Sequence, residues 1–375
     1  MDVSALSEGL RSGTAVYLYR LCEALGALGE DLDLDLLYNG QGGRGEELAR
    51  SLQRERTGVL SRPLLWKPLP APLFWRPYPR ELTAAAHRAD LFHVGEFVYP
   101  RVPMGHPVTA TVHDCTTVLF PEWHGWANRL LHRRRFKWIG AHATRVIIDA
   151  EATRSDTAGV LGRPPGTLDV IPLARGTSMA SAPVPTDVRN RYQLGDGPIV
   201  LFVGTLEPRK NLVRLVEAFG RLPERHRGAT LVLAGHMGWR GGALRAALAA
   251  TSSRVVTTGG VDDATLQALY RSASVFVYPS LYEGFGLPVL EAMSAGVPVL
   301  TSAGGALEEI AGDAALLIDP LSIDAIAAAL DQALSSPELR ERLRAAGQAR
   351  ERQYSWQQTA RRTLDVWRRA AGRAA

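Results

Sequence analysis

The chain has 375 residues, of which 46% are hydrophobic and 22% charged, and its 43 lysines and arginines only slightly outnumber its 38 aspartates and glutamates. This length exceeds what one hydrophobic core usually supports, so we predict two globular domains. The two cysteines exclude a disulfide framework and a cysteine-based zinc site, and the small basic excess, spread over both halves, argues against a nucleic-acid partner.

The chain starts with MDVSALSEGL, which lacks the basic stretch and apolar core of a signal peptide. No apolar run is long enough to span a bilayer, so we expect a cytoplasmic protein. Apolar residues recur at spacings of three and four over residues 13–28, which predicts an amphipathic helix. Residues 31–38 alternate between acidic and apolar side chains, which predicts a strand.

Residues 62–80 combine prolines with aromatic residues and are interpreted as an irregular loop. This loop either contacts an acceptor or a membrane, or covers the sheet. Helical or polar stretches separate short apolar runs further along, which predicts the strands of a parallel sheet. These runs lie at residues 91–94, 108–112, 146–148 and 168–171.

A basic cluster lies between the second and third of these runs. Its cations are Arg133, Arg134, Arg135 and Lys137, and they stand among Trp126, Phe136 and Trp138. The cluster either rests on an anionic membrane surface or forms an ordinary solvated helix face. We therefore include peripheral contact with the inner face of the membrane as an expectation.

Small and turn-forming residues between positions 172 and 198 mark a linker, so we assign residues 1–183 to a first domain and residues 184–353 to a second. The segment 354–375 is expected to be a helix that packs back on the first domain. Strands are predicted at residues 199–203, 230–233, 254–257, 275–278 and 297–301, and further helices at residues 321–334, 337–350 and 355–371. Two doubly wound sheets of this kind bind ligands at the carboxyl ends of their strands.

The segment LFVGTLEPRKN, residues 201–211, is the first candidate site. A buried strand ends at Gly204, and a helix is predicted to start near Asn211, with Arg209 and Lys210 in the turn between them. Exposed amides at a helix start and two cations suit a diphosphate. The alternative is an ordinary solvated turn.

The segment YEGFGLPVLEAMSAGVPVL, residues 282–300, is the second candidate. Its glycines allow close approach of a ligand to the backbone, and Pro288 fits the first turn of a short helix. Glu283 is therefore predicted on the loop before the helix and Glu291 inside it, so that the two have different roles. A carboxylate on the helix can accept both hydroxyls of a ribose. Taken alone, Glu291 would more often be an exposed helix residue.

With its neighbours, this segment reads VFVYPSLYEGFGLPVLEAMSAGVPVLTS and resembles the signature of the retaining nucleotide-sugar glycosyltransferases of family 4. The resemblance is strong over residues 199–319 and weaker but continuous over the first domain. It implies the GT-B fold, an α/β architecture of two Rossmann-like doubly wound domains that face each other across a cleft. The first domain would bind the acceptor and the second the nucleotide sugar.

The resemblance also implies roles for residues of the second domain. Arg209 and Lys210 would hold the donor diphosphate, Glu291 would bind the ribose, and Glu283 would approach the transferred sugar. Main-chain amides at the start of the helix would contact phosphate or sugar. The donor-binding set implied in this way is Gly204, Arg209, Lys210, Val261, Glu283, Phe285, Gly286, Leu287 and Glu291.

In the first domain, PVTATVHDCTTVLFPE resembles a strand of the family that is followed by histidine and aspartate, which places His113 on the acceptor side of the cleft. Taken alone, His113 would more often be structural. The loop SGTAVY similarly places Gly13 on the acceptor side. The catalytic set implied is His113, Arg209, Lys210 and Glu283.

The resemblance implies that a hexose, for example mannose, or a deoxyhexose is transferred from a nucleotide-diphosphate sugar. The acceptor would be a glycan or a lipid-linked intermediate in envelope or exopolysaccharide synthesis. Retention in the family is explained by front-face attack, so no enzymic nucleophile is expected. No cofactor is expected either, and no cluster resembles a metal site, so we predict metal independence. The alternatives are a non-catalytic nucleotide-binding subunit or scaffold of a glycan-assembly complex, and an epimerase or phosphorylase on the same fold.

Three features depart from the pattern of the family. The sequence MDVSAL resembles the part that follows the first strand, so that this strand is missing from the N-terminal domain: either the native start lies upstream or the sheet has lost a strand. The loop SGTAVY has Ala15 and Val16 where the family has glycine and arginine. Ala150 and Ala174 replace commoner serine and glycine, which predicts reduced or altered activity on the acceptor side.

Overall fold

The computed structural model describes residues 1, 3, 5–6, 12–39, 43–54, 57–62, 88–95, 106–176 and 187–373. Residues 63–80 of the predicted irregular loop lie outside this part of the chain. The described residues belong to two compact units. The first comprises Met1–Leu119, Trp126–Gly176 and Ser355–Ala375, and the second comprises Phe120–Gly125 and Thr177–Tyr354.

The elements of the first unit alternate between helices and strands. In chain order they are α1 (Gly13–Ala27), β1 (Leu34–Asn39), α2 (Gly43–Ser51), β2 (Thr57–Arg62), β3 (Phe92–Val94), β4 (Val108–Val112), α3 (Thr116–Leu119), α4 (Trp126–His142), β5 (Arg145–Ile148), α5 (Arg154–Leu161) and β6 (Leu168–Val170). A last helix, named α14 below, completes this unit from the end of the chain.

The second unit repeats this alternation at more regular intervals. Its elements are α6 (Val188–Arg191), β7 (Ile199–Val203), α7 (Leu212–Gly220), β8 (Thr230–Ala234), α8 (Gly242–Ala250), β9 (Val255–Gly259), α9 (Asp263–Ser272), β10 (Val275–Tyr278), α10 (Leu287–Ser294), β11 (Val299–Ser302), α11 (Gly305–Ala311), β12 (Leu316–Ile318), α12 (Ile323–Ser335) and α13 (Pro337–Glu351). The chain then returns to the first unit as α14 (Trp356–Ala370).

The strands of the first unit pair in parallel, β1 with β2 and, in a second group, in the order β3-β4-β5-β6. Successive residues of β5 point to opposite faces of the sheet, as a pleated strand requires. Val146 packs with Ile139 of α4 on one face, and Ile147 packs with Val366 of α14 on the other. The described sheet is therefore covered by helices on both faces, which is the arrangement that buried parallel strands need.

Helix α14 is fixed to the first unit by hydrogen bonds from its side chains. The indole Nε1 of Trp356 donates to the carbonyl of Arg175 over 2.8 Å, and the hydroxyl of Thr359 donates to the carbonyl of Pro172 over 2.8 Å. The beginning of the chain is also held in this unit, where the amide of Leu37 donates to the carbonyl of Met1 and the amide of Val3 to the carbonyl of Leu37. These two hydrogen bonds join Met1 and Val3 to Leu37 of β1.

The sheet of the second unit has the order β12-β11-β10-β7-β8-β9, with every pair parallel. From β7 the chain winds outward through β8 and β9, and it then returns to the other side of β7 to form β10, β11 and β12. The connections after β7 and β10 therefore diverge although the two strands are neighbours. This is the topological switch point at which doubly wound sheets bind ligands.

The predicted α/β class with parallel sheets is confirmed, and most boundaries agree within two residues. The strand predicted over residues 31–38 is wrong at its start, because pairing with β2 begins only where Leu34 meets Thr57. Strands β2 and β12 were not predicted. Residues 120–125 were assigned to the first domain, but they cluster with the second unit, where Trp239 Nε1 donates to the carbonyl of Trp123 over 2.5 Å.

Candidate active site

The candidate site lies in the second unit at the carboxyl ends of β7 and β10. The turn after β7 carries Arg209 and Lys210, and the loop after β10 carries Glu283. The amide of Leu281 donates to the carbonyl of Arg209 over 2.8 Å, which joins the turn to the loop. The switch point of the sheet therefore brings together residues that are more than 70 positions apart in the chain.

Four charged side chains form one buried cluster at this position. The ammonium of Lys210 donates to Glu283 Oε1 over 2.5 Å, and the guanidinium of Arg209 donates through Nη1 to Glu283 Oε2. Through its Nε, Arg209 also donates to Glu207 Oε1 over 2.7 Å. Only 5% of Lys210, 6% of Glu207 and 9% of Glu283 is exposed, so the alternative of a solvated turn is wrong.

The turn that holds the two cations is fixed by Asn211. This residue lies in the left-handed region, with φ 62°, and its side-chain amide donates to the carbonyls of Pro279 and Pro320 over 3.1 and 2.6 Å. Asparagine tolerates this conformation better than most residues. Lys210 is further oriented by Tyr278 of β10, whose hydroxyl accepts from Nζ over 2.6 Å. The cations are thus held in place before any ligand binds.

Electrostatics distinguish the two carboxylates of the cluster. Burial alone would raise the pKa of Glu283, but the charges of Arg209 and Lys210 outweigh it and hold this pKa below its usual range. Burial raises the pKa of Glu207, and the same two cations offset only part of that effect. Burial and the charge of Arg209 lower the pKa of Lys210, while both carboxylates act in the opposite sense.

Helix α10 supplies the second part of the site. Gly286 caps it with φ 125°, and a Cβ at this position would lie 2.7 Å from Leu307 Cδ2. No side chain caps the helix start, so its first amides point to the end that favours anions. The predicted positions are confirmed: Glu283 precedes the helix, and Glu291 lies inside it.

Glu291 is 7% exposed, so the alternative of an exposed helix glutamate is wrong. The hydroxyl of Tyr270, on α9, donates to Glu291 Oε2 over 3.0 Å. Burial and the neighbouring charge of Glu291 raise the pKa of Tyr270 well above its usual range. The phenol therefore stays protonated and keeps the orientation of a carboxylate that can accept sugar hydroxyls.

In the first unit, His113 and Asp149 form a dyad at the carboxyl ends of the neighbouring strands β4 and β5. Their atoms Nδ1 and Oδ2 lie 2.7 Å apart, and Asp149 is 1% exposed. Because a carboxylate only accepts, a neutral imidazole donates from Nδ1 and presents Nε2 as its acceptor. The ring of Tyr17 meets that of His113 edge-on, with centroids 4.5 Å apart.

The structure brings Arg209, Lys210 and Glu283 into direct contact, and Phe285, Gly286 and Leu287 follow on the same loop and helix start. Gly204 directly follows β7 and lies beside Lys210, and Val261 lies, partly exposed, between β9 and α9. Gly13 and His113 belong to the first unit. Gly13 is the first residue of α1, which Ser12 caps by accepting from the amide of Ala15.

Sequence reasoning missed four residues that this geometry adds: Glu207, Tyr270, Tyr278 and Asp149. Glu207 stands inside the segment LFVGTLEPRKN and Asp149 stands next to Ala150, both already singled out, so a search for carboxylates there could have found them. The tyrosines were a weaker signal, because Tyr278 stands in a strand, where tyrosine is common, and Tyr270 stands on the apolar face of helix α9. Only the structure shows that both tyrosines are buried and that their hydroxyls contact Glu291 and Lys210.

Within the described residues, no three or more His, Cys, Asp or Glu side chains come together in a way that could hold a metal ion. Among the helices of that part of the chain, none is both long and apolar enough to cross a membrane. The basic cluster of α4 needs one correction. Arg135 and Phe136 are buried, and Arg135 donates to the carbonyl of Gly95 over 3.0 Å, so neither belongs to the exposed face.

Comparison with known proteins gives two family matches, glycosyltransferase family 4 over residues 11–175 and glycosyl transferases group 1 over residues 186–350. The O-antigen chain mannosyltransferase B of Escherichia coli is 33% identical over 74% of this chain and 74% of its own length. The MMP alpha-(1->4)-mannosyltransferase of Mycolicibacterium hassiacum is 32% identical over 72% of this chain and 67% of its own length.

Solved structures give the same assignment of fold. That of Anabaena HepE in complex with UDP and glucose has a TM-score of 0.71 at 17% identity and covers 95% of this chain and 97% of its own. Sucrose-phosphate synthase from Thermosynechococcus elongatus has a TM-score of 0.70 at 25% identity, and the match covers 96% of this chain and 93% of the synthase chain.

The Rossmann-like units, the charged cluster at the switch point and these matches together define the class of protein: it is a glycosyltransferase of the GT-B fold. The chain belongs to glycosyltransferase family 4, the group 1 glycosyltransferases.

Proposed function

We propose that this enzyme is a retaining transferase that moves a hexose or deoxyhexose from a nucleotide-diphosphate sugar to a glycan or lipid-linked acceptor in the synthesis of an envelope glycan or exopolysaccharide. One observation carries the proposal: two adjacent cations, Arg209 and Lys210, are held by Glu283 at the switch point of the second unit. Such a pair can bind both phosphates of a donor, and it stabilises the charge that develops as the diphosphate leaves.

The relatives support this choice of substrates. HepE was solved with UDP and glucose, and the two relatives reported above are named as mannosyltransferases, one of them of the O-antigen chain. Mannose is therefore the first hexose to test. In the donor complex that we propose, Glu291 binds the ribose and Glu283 the transferred sugar. The amides of Phe285, Gly286 and Leu287 contact phosphate or sugar, with Gly204 and Val261 lining the same site.

In the reaction that we propose, the acceptor oxygen bonds to the anomeric carbon on the face from which the diphosphate departs. The bond from that carbon to the phosphate oxygen breaks, and the phosphate oxygen takes the proton of the acceptor hydroxyl. Arg209 and Lys210 stabilise the departing charge, so we propose that no metal ion or other cofactor takes part. His113, held by Asp149, hydrogen-bonds to the acceptor or to the transferred sugar, and Gly13 lies on the acceptor side.

The proposal predicts that the protein releases a nucleoside diphosphate from one member of a panel of GDP- and UDP-linked sugars, and releases it faster when a suitable sugar acceptor is present. The panel is measured in EDTA, and the anomeric configuration of the product is read by NMR. Binding of a nucleotide sugar without turnover would instead support a non-catalytic subunit. Loss of turnover in EDTA would contradict metal independence, and an inverted product would contradict retention.

We also propose that the enzyme works at the inner face of the membrane and contacts anionic lipids through α4. This helix contains no acidic residue, and it exposes 77% of Trp126 and 41% of Leu130. Arg133 and Arg134 are exposed on the same helix, and no described carboxylate pairs with them. Exposed apolar side chains beside cations match a lipid surface with negative headgroups.

Replacing Arg133 and Arg134 together by glutamine is expected to weaken binding to vesicles of phosphatidylglycerol and phosphatidylcholine by about 30-fold, since each basic residue near such a surface contributes about 1 kcal/mol. The matched control replaces Arg361 and Arg362, an exposed pair on α14, in the same way. Cosedimentation measures both. Equal weakening in the control would show general charge attraction rather than a surface on α4.

A further inference from the structure

Glu207 occupies an unusual position in the charged cluster. Its side chain is 3% exposed and receives a single hydrogen bond within the described structure, from Arg209 Nε to Oε1. Its second oxygen, Oε2, is buried and has no hydrogen-bond partner in that part of the chain. A buried carboxylate oxygen without a donor is costly, whereas a protonated carboxyl group can donate.

The two carboxylates of the cluster are held unequally. Glu283 accepts from both Arg209 and Lys210, and these contacts favour its charged form. Glu207 accepts only from Arg209, and burial favours its neutral form. Of the two carboxylates, Glu207 is therefore the one that gains a proton more readily when the local charge becomes more negative.

Binding of a donor would make that change. With all four side chains ionised, the two cations of the cluster are balanced by two carboxylates. Each phosphate of a nucleotide sugar adds one further negative charge near neutral pH, and these diester groups do not titrate there. The incoming charge would face two anions already in the cluster, and a like charge disfavours the ionised form of a carboxyl group.

We propose that Glu207 takes up one proton from solvent when a nucleotide-diphosphate sugar binds, and that its neutral carboxyl group then donates a hydrogen bond to the donor. This inference rests on the proposed function of the site. Proton uptake leaves Arg209 and Lys210 with only Glu283 as a counter-charge, so that more of their charge is available to the diphosphate. Glu207 thereby becomes a further donor-binding residue.

The groups that face Glu207 are limited in number. Its own turn supplies Arg209 and Lys210, and the loop and strand at β10 supply Glu283 and Tyr278. The loop after β8 packs on it at Gly238, where a Cβ would lie 3.2 Å from the Cβ of Glu207. The charged or titratable residues of that loop, His236 and Arg240, form no ion pair with Glu207 in the described structure.

Calorimetry can measure the proton directly. GDP-mannose and UDP-glucose are titrated into the intact enzyme at one pH in buffers that differ in ionisation enthalpy. The expected result is an uptake approaching one proton per bound donor, with Kd increasing by up to tenfold per pH unit as pH rises. Glu207→Gln is expected to bind the donor without proton uptake. Glu217→Gln, an exposed helix glutamate of the same unit, is the matched control and retains the uptake.

The outcomes distinguish failure of this inference from failure of the proposed function. Donor binding without proton uptake by the unaltered enzyme overturns the inference, and uptake that persists in Glu207→Gln places the proton on another group and overturns it as well. Failure of the unaltered enzyme to bind any nucleotide sugar would overturn the proposed function itself. If Glu207→Gln does not fold, infrared difference spectra of the unaltered enzyme decide the question, since donor binding must produce a new protonated-carboxyl C=O band.

Discussion

Replacement of Lys210 by methionine is expected to lower turnover by about a hundredfold to a thousandfold, the loss that follows removal of one group stabilising charge in a transition state. Methionine matches the unbranched lysine side chain as far as Cε but removes the ammonium that contacts Glu283 and Tyr278. Arg209 would then be the one cation of this cluster left to meet the departing diphosphate. Release of nucleoside diphosphate at saturating donor measures the effect.

Stability must be separated from catalysis in this variant. Loss of one partner of a buried ion pair costs about 3–5 kcal/mol, because it leaves the other charge uncompensated. The double variant Lys210→Met, Glu283→Gln removes both partners, so it should recover part of the stability and none of the turnover. Arg227→Met removes a cation that is 82% exposed in the same unit and should change neither quantity. Near-normal turnover in folded Lys210→Met would refute the assignment of the diphosphate site.

The strands that sequence analysis located best are those buried on both faces. Residues 199–203 and 275–278 were predicted with their observed limits, because a continuous apolar run of four or five residues between two helical patterns is typical of a buried parallel strand. The strand predicted from Asp31 was wrong by three residues at its start, since alternation alone does not show where a partner strand begins. Pairing between β1 and β2 decided that limit, and it depends on residues far apart in the chain.

The candidate site, too, could be predicted only where its residues are marked by their own stretch of sequence. The sequence indicated Arg209, Lys210 and Glu283 because each stands in a segment whose own pattern predicts a turn or loop at the end of a strand. Sequence could not show that Glu207 and Glu283 both accept from Arg209, because strand order brings β7 next to β10 only in the folded sheet. For the same reason, the contact of Asp149 with His113 follows from the pairing of β4 with β5.

Close contact between the loops after β7 and β8 makes Gly235 a test of how the fold supports the donor site. Gly235 has φ 151°, and a Cβ built there would lie 2.0 Å from the carbonyl oxygen of Gly204. The obstacle is backbone, which cannot rotate away as a side chain can. Gly235→Ala is therefore expected to destabilise the second unit by about 3 kcal/mol. Its melting temperature, followed by calorimetry, should decrease by roughly 6–12 °C.

Gly228→Ala is the matched control, because a Cβ at Gly228 meets no atom within 4 Å and the residue has no positive φ. Equal melting temperatures for the two variants would show that the two loops can move apart without loss of stability. A displaced Gly204 carbonyl also moves the start of the turn that carries Arg209 and Lys210. Gly235→Ala should consequently bind nucleotide sugars more weakly even below its melting transition, whereas a glycine needed only for folding would leave that affinity unchanged.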